Sequence, residues 1–223
     1  MQSWVHYIPL GTTAFALYFA PQLFRRWWAH HPAPHLFWWG LGVALYGVGT
    51  LTESFTTLLG WHEGLFRAWY ISGALLGGAP LAQGTAYLLF SRKLADRLTA
   101  ALLTVVLVAT IAVLLSPIDL TQVEQYRLSG RVLEWQWVRA FTPFINIYAF
   151  LLLVGGAIWS AWRYARQAGM ARRTLANVYI AVGGLLPGIG GTFTRFGHVE
   201  VLYVTELIGL VFIYVGYRIA TQE

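Results

Sequence analysis

Leu98 to Leu115 reads LTAALLTVVLVATIAVLL. The stretch has no charge, no glycine and no proline, and its only polar side chains are threonines. An uncharged apolar run of about 18 residues reads as a membrane-spanning helix, because a hydrocarbon core about 30 Å thick takes about 20 residues at 1.5 Å each. Working outward, six further apolar blocks flank this one. The chain therefore reads as an all-α integral membrane protein, a seven-transmembrane helix bundle with spans at about 4–24, 36–59, 66–90, 97–117, 137–161, 174–195 and 198–219. They occupy 1–223 as one domain and leave no room in it for a soluble catalytic or DNA-binding module. Composition agrees: only 11% of residues are charged, against about 25% in soluble domains. The opening Met1 to Leu10 has no basic leader, so the first span is expected to stay in the mature protein.

Basic residues sort between the two sides. Arg25, Arg26, Arg92, Lys93, Arg97, Arg163, Arg166, Arg172, Arg173 and Arg218 fall on one side, and Arg67, Arg127, Arg131, Arg139 and Arg195 on the other. The positive-inside bias then puts the N-terminus outside and the C-terminus in the cytoplasm of a cell membrane. The net charge of +6 reads as anchorage to anionic lipid rather than nucleic-acid binding. Trp27, Trp28, Trp38 and Trp39 fall where an interfacial aromatic belt belongs. On the outside, the long loop 118–136 carries two short β-prone stretches, Val123 to Leu128 and Arg131 to Trp135, about Ser129-Gly130. The spacing predicts a hairpin.

The apolar fourth span is expected to lie peripherally, facing lipid, with three spans on either side of it. Such a 3+1+3 arrangement makes the triplets, 4–90 and 137–219, parallel repeats. Gly47 to Glu53 and Gly188 to Arg195 echo one another with one gap, and the alignment sets Glu53 opposite Arg195.

Two acids, Glu53 and Glu206, lie within spans. Intramembrane carboxylates are costly, and they face the bundle interior or water. Around Glu53 the helical stripe is Gly42, Tyr46, Gly49, Thr50, Thr56 and Thr57; around Glu206 it is Tyr203, Gly209, Ile213 and Gly216. Arg139 and Arg195 fall near the same outer boundary, and Asn146 shares a stripe with Arg139. The reading is an outward-facing polar cavity lined by Glu53, Glu206, Arg139, Arg195, Asn146 and Tyr203, binding or moving a small solute or ion. The competing structural reading is a set of buried ion pairs that fix helix register. Pro187-Gly188 lies within a glycine-rich run in span six and predicts a helix break, a common feature of transporter sites. Pro80, near Gly77 and Gly78, is a second candidate break.

Other chemistry finds less support. There is no cysteine, and His6, His62 and His198 lack metal-ligand spacing, so no metal or other cofactor is expected. Seven spans invite comparison with microbial rhodopsins, but the only lysine, Lys93, lies in a loop. Schiff-base retinal is excluded, although a noncovalently held hydrophobic ligand is not. Pro21-Gln22, ahead of Arg25-Arg26, resembles the Pro-Gln dipeptide of PQ-loop and SWEET-type transporters, whose parallel triplets and linker span match the layout above. The corresponding Thr142-Pro143-Phe144 lacks the glutamine. The likeness is architectural and implies no family membership. No nucleophile with an intramembrane partner is legible, so enzyme activity is not the expected class. The alternative to a carrier is a receptor or an accessory subunit, acting through a membrane-protein partner or a second copy of itself.

Overall fold

The computed structural model describes residues 4–194 and 196–222. After a short 3₁₀ turn, Trp4–Tyr7, nine α-helices follow among the described residues: α1 (Ile8–Ala29), α2 (Pro34–Leu59), α3 (Glu63–Trp69), α4 (Ala79–Leu89), α5 (Arg92–Leu115), α6 (Phe141–Ala149), α7 (Gly156–Ala165), α8 (Ala171–Thr194) and α9 (Val199–Thr221). Two π-helical segments, Tyr70–Leu75 and Phe150–Gly155, continue α3 and join α6 to α7. Among the described residues, four helical stretches are long and apolar enough to cross a membrane: Arg92–Leu115, Gln136–Ala165, Ala171–Thr194 and Val199–Thr221. This is a helical membrane protein with its apolar surface against lipid.

The helix ends follow from local chemistry. Pro9, Pro34 and Pro80 each sit in the first turn of a helix, where the N–H that proline lacks has no partner anyway. Gly60 stops α2 at φ +85°, a conformation that other residues adopt only with strain. His62 caps α3 by accepting from the Gly64 N–H at 3.1 Å. The C-terminal carbonyls of α5 are capped from another helix: Arg67 of α3 donates to the carbonyls of Val113 and, at 3.0 Å, Ser116.

α1 packs on α2 and α9, α2 on α3 and α4, and α8 along α9. One core cluster joins Phe19 and Leu23 of α1, Val43 of α2, Leu81 of α4 and Leu210 of α9. A second joins Phe66, Tyr70 and Leu75 to Val113 of α5, to Val132 and Leu133 of the long loop, and to Val138 just after it. Between them Gln83 is fully buried and satisfied. It donates to Thr99 Oγ1 at 2.7 Å and to the Ala95 carbonyl at 3.1 Å, and accepts from the Tyr148 hydroxyl. It thereby ties α4, α5 and α6.

Two expectations are overturned. The hairpin about Ser129-Gly130 does not form. The loop has only isolated bridges, Ile118 to Leu133 and Glu124 to Arg127. Ser129 instead opens a 3₁₀ turn, and Gly130 lies so close to Tyr70 that an added methyl would meet its ring at 2.7 Å. Burial of Val132 and Leu133 in the second core outweighs strand pairing. The loop is a wedge in the bundle rather than a flap above it.

The break at Pro187-Gly188 is also absent, because α8 runs unbroken through both residues. Proline deprives the Gly183 carbonyl of its ordinary donor. That carbonyl lies against Gly209 of α9, where an added methyl would come within 2.7 Å of it and 3.0 Å of Pro187 Cδ. Close backbone contact between small residues holds the helix where proline would otherwise loosen it. The real interruption is in the third segment, where the π-helical turn gives way at Leu76–Gly78 before Pro80 restarts the chain as α4.

Candidate functional site

The end of the bundle that carries the 118–136 loop is called the loop end here. Glu53 lies six residues from the end of α2, and Glu206 seven residues into α9. At 1.5 Å per residue both are about 10 Å from their helix ends. The two helices run in opposite directions, so the acids fall at matching depth. Their carboxyl groups are neighbours, each acting on the other electrostatically. Glu53 is only 6% exposed.

Three elements hold the pair. Trp69 Nε1 of α3 donates to Glu53 Oε1 at 2.9 Å. It can do so because Gly49 and Gly73 meet backbone to backbone: a methyl on Gly49 would lie 3.0 Å from Gly73 Cα. That close approach lays the π-helical turn on α2, one turn from the acid. Such turns often occur at functional sites. Tyr46 of α2 donates its hydroxyl to the Glu206 backbone carbonyl at 3.1 Å. Tyr203 of α9 is buried beside both carboxyls, and its ring meets His6 edge to face at 6.0 Å.

Four buried side-chain polar atoms among the described residues have no hydrogen-bond partner: Glu53 Oε2, Glu206 Oε2, Thr57 Oγ1 and Trp61 Nε1. Among the described residues no cation is paired with either acid. The ion pairs among the described residues are Arg67–Glu63, Arg92–Asp96 and Arg127–Glu124. A carboxylate cannot donate, so two carboxyls in contact satisfy each other only when a proton lies between them.

Glu53, Glu206 and Tyr203 of the sequence-expected set thus come together. Arg139 and Asn146 do not: both are exposed, and Arg139 donates to Gln136 Oε1 at 2.6 Å. Arg195 lies outside the described residues. Of the six residues expected to line one site, three therefore come together here, while Arg139 and Asn146 lie apart from them. Two cavities lie elsewhere: one of about 280 Å³ between α1 and α2, walled by Ala16, Ala20, Phe24, Ala44 and Gly47, and one of about 30 Å³ among Phe19, Val43, Leu81 and Ile213. Pro21 of the Pro-Gln dipeptide borders the first, and Gln22 donates to the Tyr18 carbonyl one turn back at 3.1 Å.

Trp69 was not singled out in the sequence, although a signal existed. Positions 53 and 69 lie eight residues either side of Trp61, at the turn between the two segments, so both fall at one depth. Searches against protein-family models, curated proteins and solved structures find no match to this chain.

Proposed function

We propose that this is a seven-span protein of the cell membrane, with its N-terminus and loop end outside, that moves a small solute or ion in step with a proton carried on Glu53 and Glu206. The observation that carries the reading is a pair of neighbouring carboxyls, each with a buried oxygen that has no partner, and with no cation paired to them among the described residues. In hydrocarbon a lone carboxylate is costly and marks ion or proton pathways. A pair sharing one proton gains or loses charge whenever that proton comes or goes. A coupled carrier needs a charge change of that kind at the interface of moving helices. The interrupted third segment, which reaches Glu53 through Trp69, supplies a mobile element. Seven spans follow if α1, α2 and the α3–α4 segment cross beside the four apolar stretches. The polar side chains of α2, Thr50 through Thr57, are largely turned inward, so they need not face lipid.

The test is charge movement in proteoliposomes adsorbed on a capacitive sensor. A step in external pH is expected to displace charge with the wild type, and much less with Glu53→Gln or Glu206→Gln. If the wild type displaces none, or both variants match it, the carrier reading fails and a receptor or accessory-subunit role replaces it.

A further inference from the structure

We propose that the proton reaches the carboxyl pair from the loop end by a water-bridged route through Trp61 Nε1 and Thr57 Oγ1. The inference rests on the carboxyl pair being a proton site, and it adds a path and a direction.

Thr57 provides the first observation. α2 has a run of hydroxyls near Glu53, and most turn back onto their own helix. Thr50 donates to the Tyr46 and Gly47 carbonyls, Thr52 to Gly49, Ser54 to Thr50 and Thr56 to Thr52. That back-bonding is how an isolated hydroxyl in a membrane helix is satisfied. Thr57 alone among them does not do it, and it is 5% exposed. It follows Glu53 by one turn and shares its face. Its hydroxyl is therefore left for a partner that is neither its own helix nor any described side chain.

Trp61 provides the second. Gly60 ends α2, and the chain folds back so that the Trp61 N–H meets the Gln125 carbonyl at 2.7 Å and its ring stacks on Phe66. The indole N–H is buried without an acceptor. Unpaired buried polar atoms call for water. Thr57 lies one helical turn beyond Glu53, and Trp61 lies just past the end of the same helix. One helical turn is about 6 Å, a gap that one water closes with two hydrogen bonds of about 2.8 Å each.

The donor directions agree. Indole only donates, hydroxyl and water do both, and carboxylate only accepts. A water held by Trp61 passes a proton to the next oxygen as it takes one from the water behind it. The Thr57 hydroxyl does the same. In net terms one O–H bond breaks in a hydronium at the mouth and one forms on a carboxylate. Among the described residues, the groups facing the pair are Tyr46 on α2 and Tyr203 on α9, with Glu200, Arg127 and His6 beyond Tyr203. Glu63, near the mouth, is held by Arg67 at 2.7 Å. A course past His6 and Tyr203 is the rival route.

The experiment separates rate from amount, using the same pH-step proteoliposomes. Thr57→Val keeps the shape and removes the hydroxyl. It is expected to slow charge displacement about tenfold, the effect of one lost hydrogen bond, while total charge stays at the wild-type value. Thr57→Ser is expected to restore the rate. Trp61→Phe tests the outer step, and Tyr203→Phe the rival route. As a second measure, deuterium exchange at the carboxyl C=O infrared band of purified protein is expected to slow in Thr57→Val. Wild-type rates in both Thr57→Val and Trp61→Phe overturn the route and leave the pair intact. Slowing in Tyr203→Phe alone moves the route to the His6 side and equally overturns it. A wild type with no displaced charge overturns the pair and the route together.

Discussion

Glu53 and Glu206 stabilise the bundle only as long as each supplies what the other lacks. With one proton between them, one carboxyl donates and the other accepts, and Trp69 satisfies Glu53 Oε1 at 2.9 Å. Replacing Glu53 by glutamine keeps a donor and an acceptor in place, so the fold should tolerate it. Replacing it by leucine leaves the Glu206 carboxyl and the Trp69 indole buried without partners. An unmade hydrogen bond of this kind costs about 1–3 kcal/mol. Thermal unfolding in detergent is therefore expected to rank wild type and Glu53→Gln close together, with Glu53→Leu well below. Equal midpoints for Gln and Leu would show that the pair makes no contact of energetic weight. Both acids were visible in the sequence, because a charge inside an apolar run is conspicuous. Their mutual contact was not. Sequence gives the depth of a residue along its own helix but not which helix stands beside it, so depth alone makes Arg139 look like a neighbour of the acids.

Among the elements, α8 and α9 show how neighbours override local rules. Pro187 and Pro80 both sit in glycine-rich surroundings, and local sequence treats them alike. The outcome differs because Gly209 meets the freed carbonyl of Gly183, while the π-helical turn before Pro80 ends at Leu76–Gly78. The hairpin failed for a similar reason: Val132 and Leu133 have strand-forming character, but they fill a core that only the assembled bundle provides. What was legible was the position of the long helices, since apolar length is a local property. The glycine contact gives a paired prediction. Gly209→Ala drives a methyl to 2.7 Å from a backbone oxygen that cannot step aside, whereas Gly191 has nothing within 4 Å of an added methyl. Overpacking of that sort costs about 1–3 kcal/mol, while a helical glycine replaced by alanine at an open position gains about 0.5–1 kcal/mol. Gly209→Ala is expected to lower the unfolding midpoint and Gly191→Ala to hold or raise it. A drop for both would mean that α8 meets a further partner at Gly191.

For the whole molecule, the open quantity is which way the bundle faces. The helix irregularities do not repeat between the two triplets: the third segment is interrupted while α9 is continuous, and the π-helical turn of the fifth has no counterpart in α1. Orientation therefore rests on charge. The arginine-rich connections, such as Arg163 to Arg173, should lie in the cytoplasm and the 118–136 loop outside. The absence of native cysteine makes a clean test, because any introduced thiol is the only one to react. Gln122 and Gln167 are both exposed and lie on opposite ends of the bundle. In intact cells a membrane-impermeant maleimide is expected to label Gln122→Cys at once and Gln167→Cys only after permeabilisation. The reverse pattern would turn the bundle over. The route through Trp61 and Thr57 would then open to the cytoplasm, and the carboxyl pair would take its proton from inside the cell.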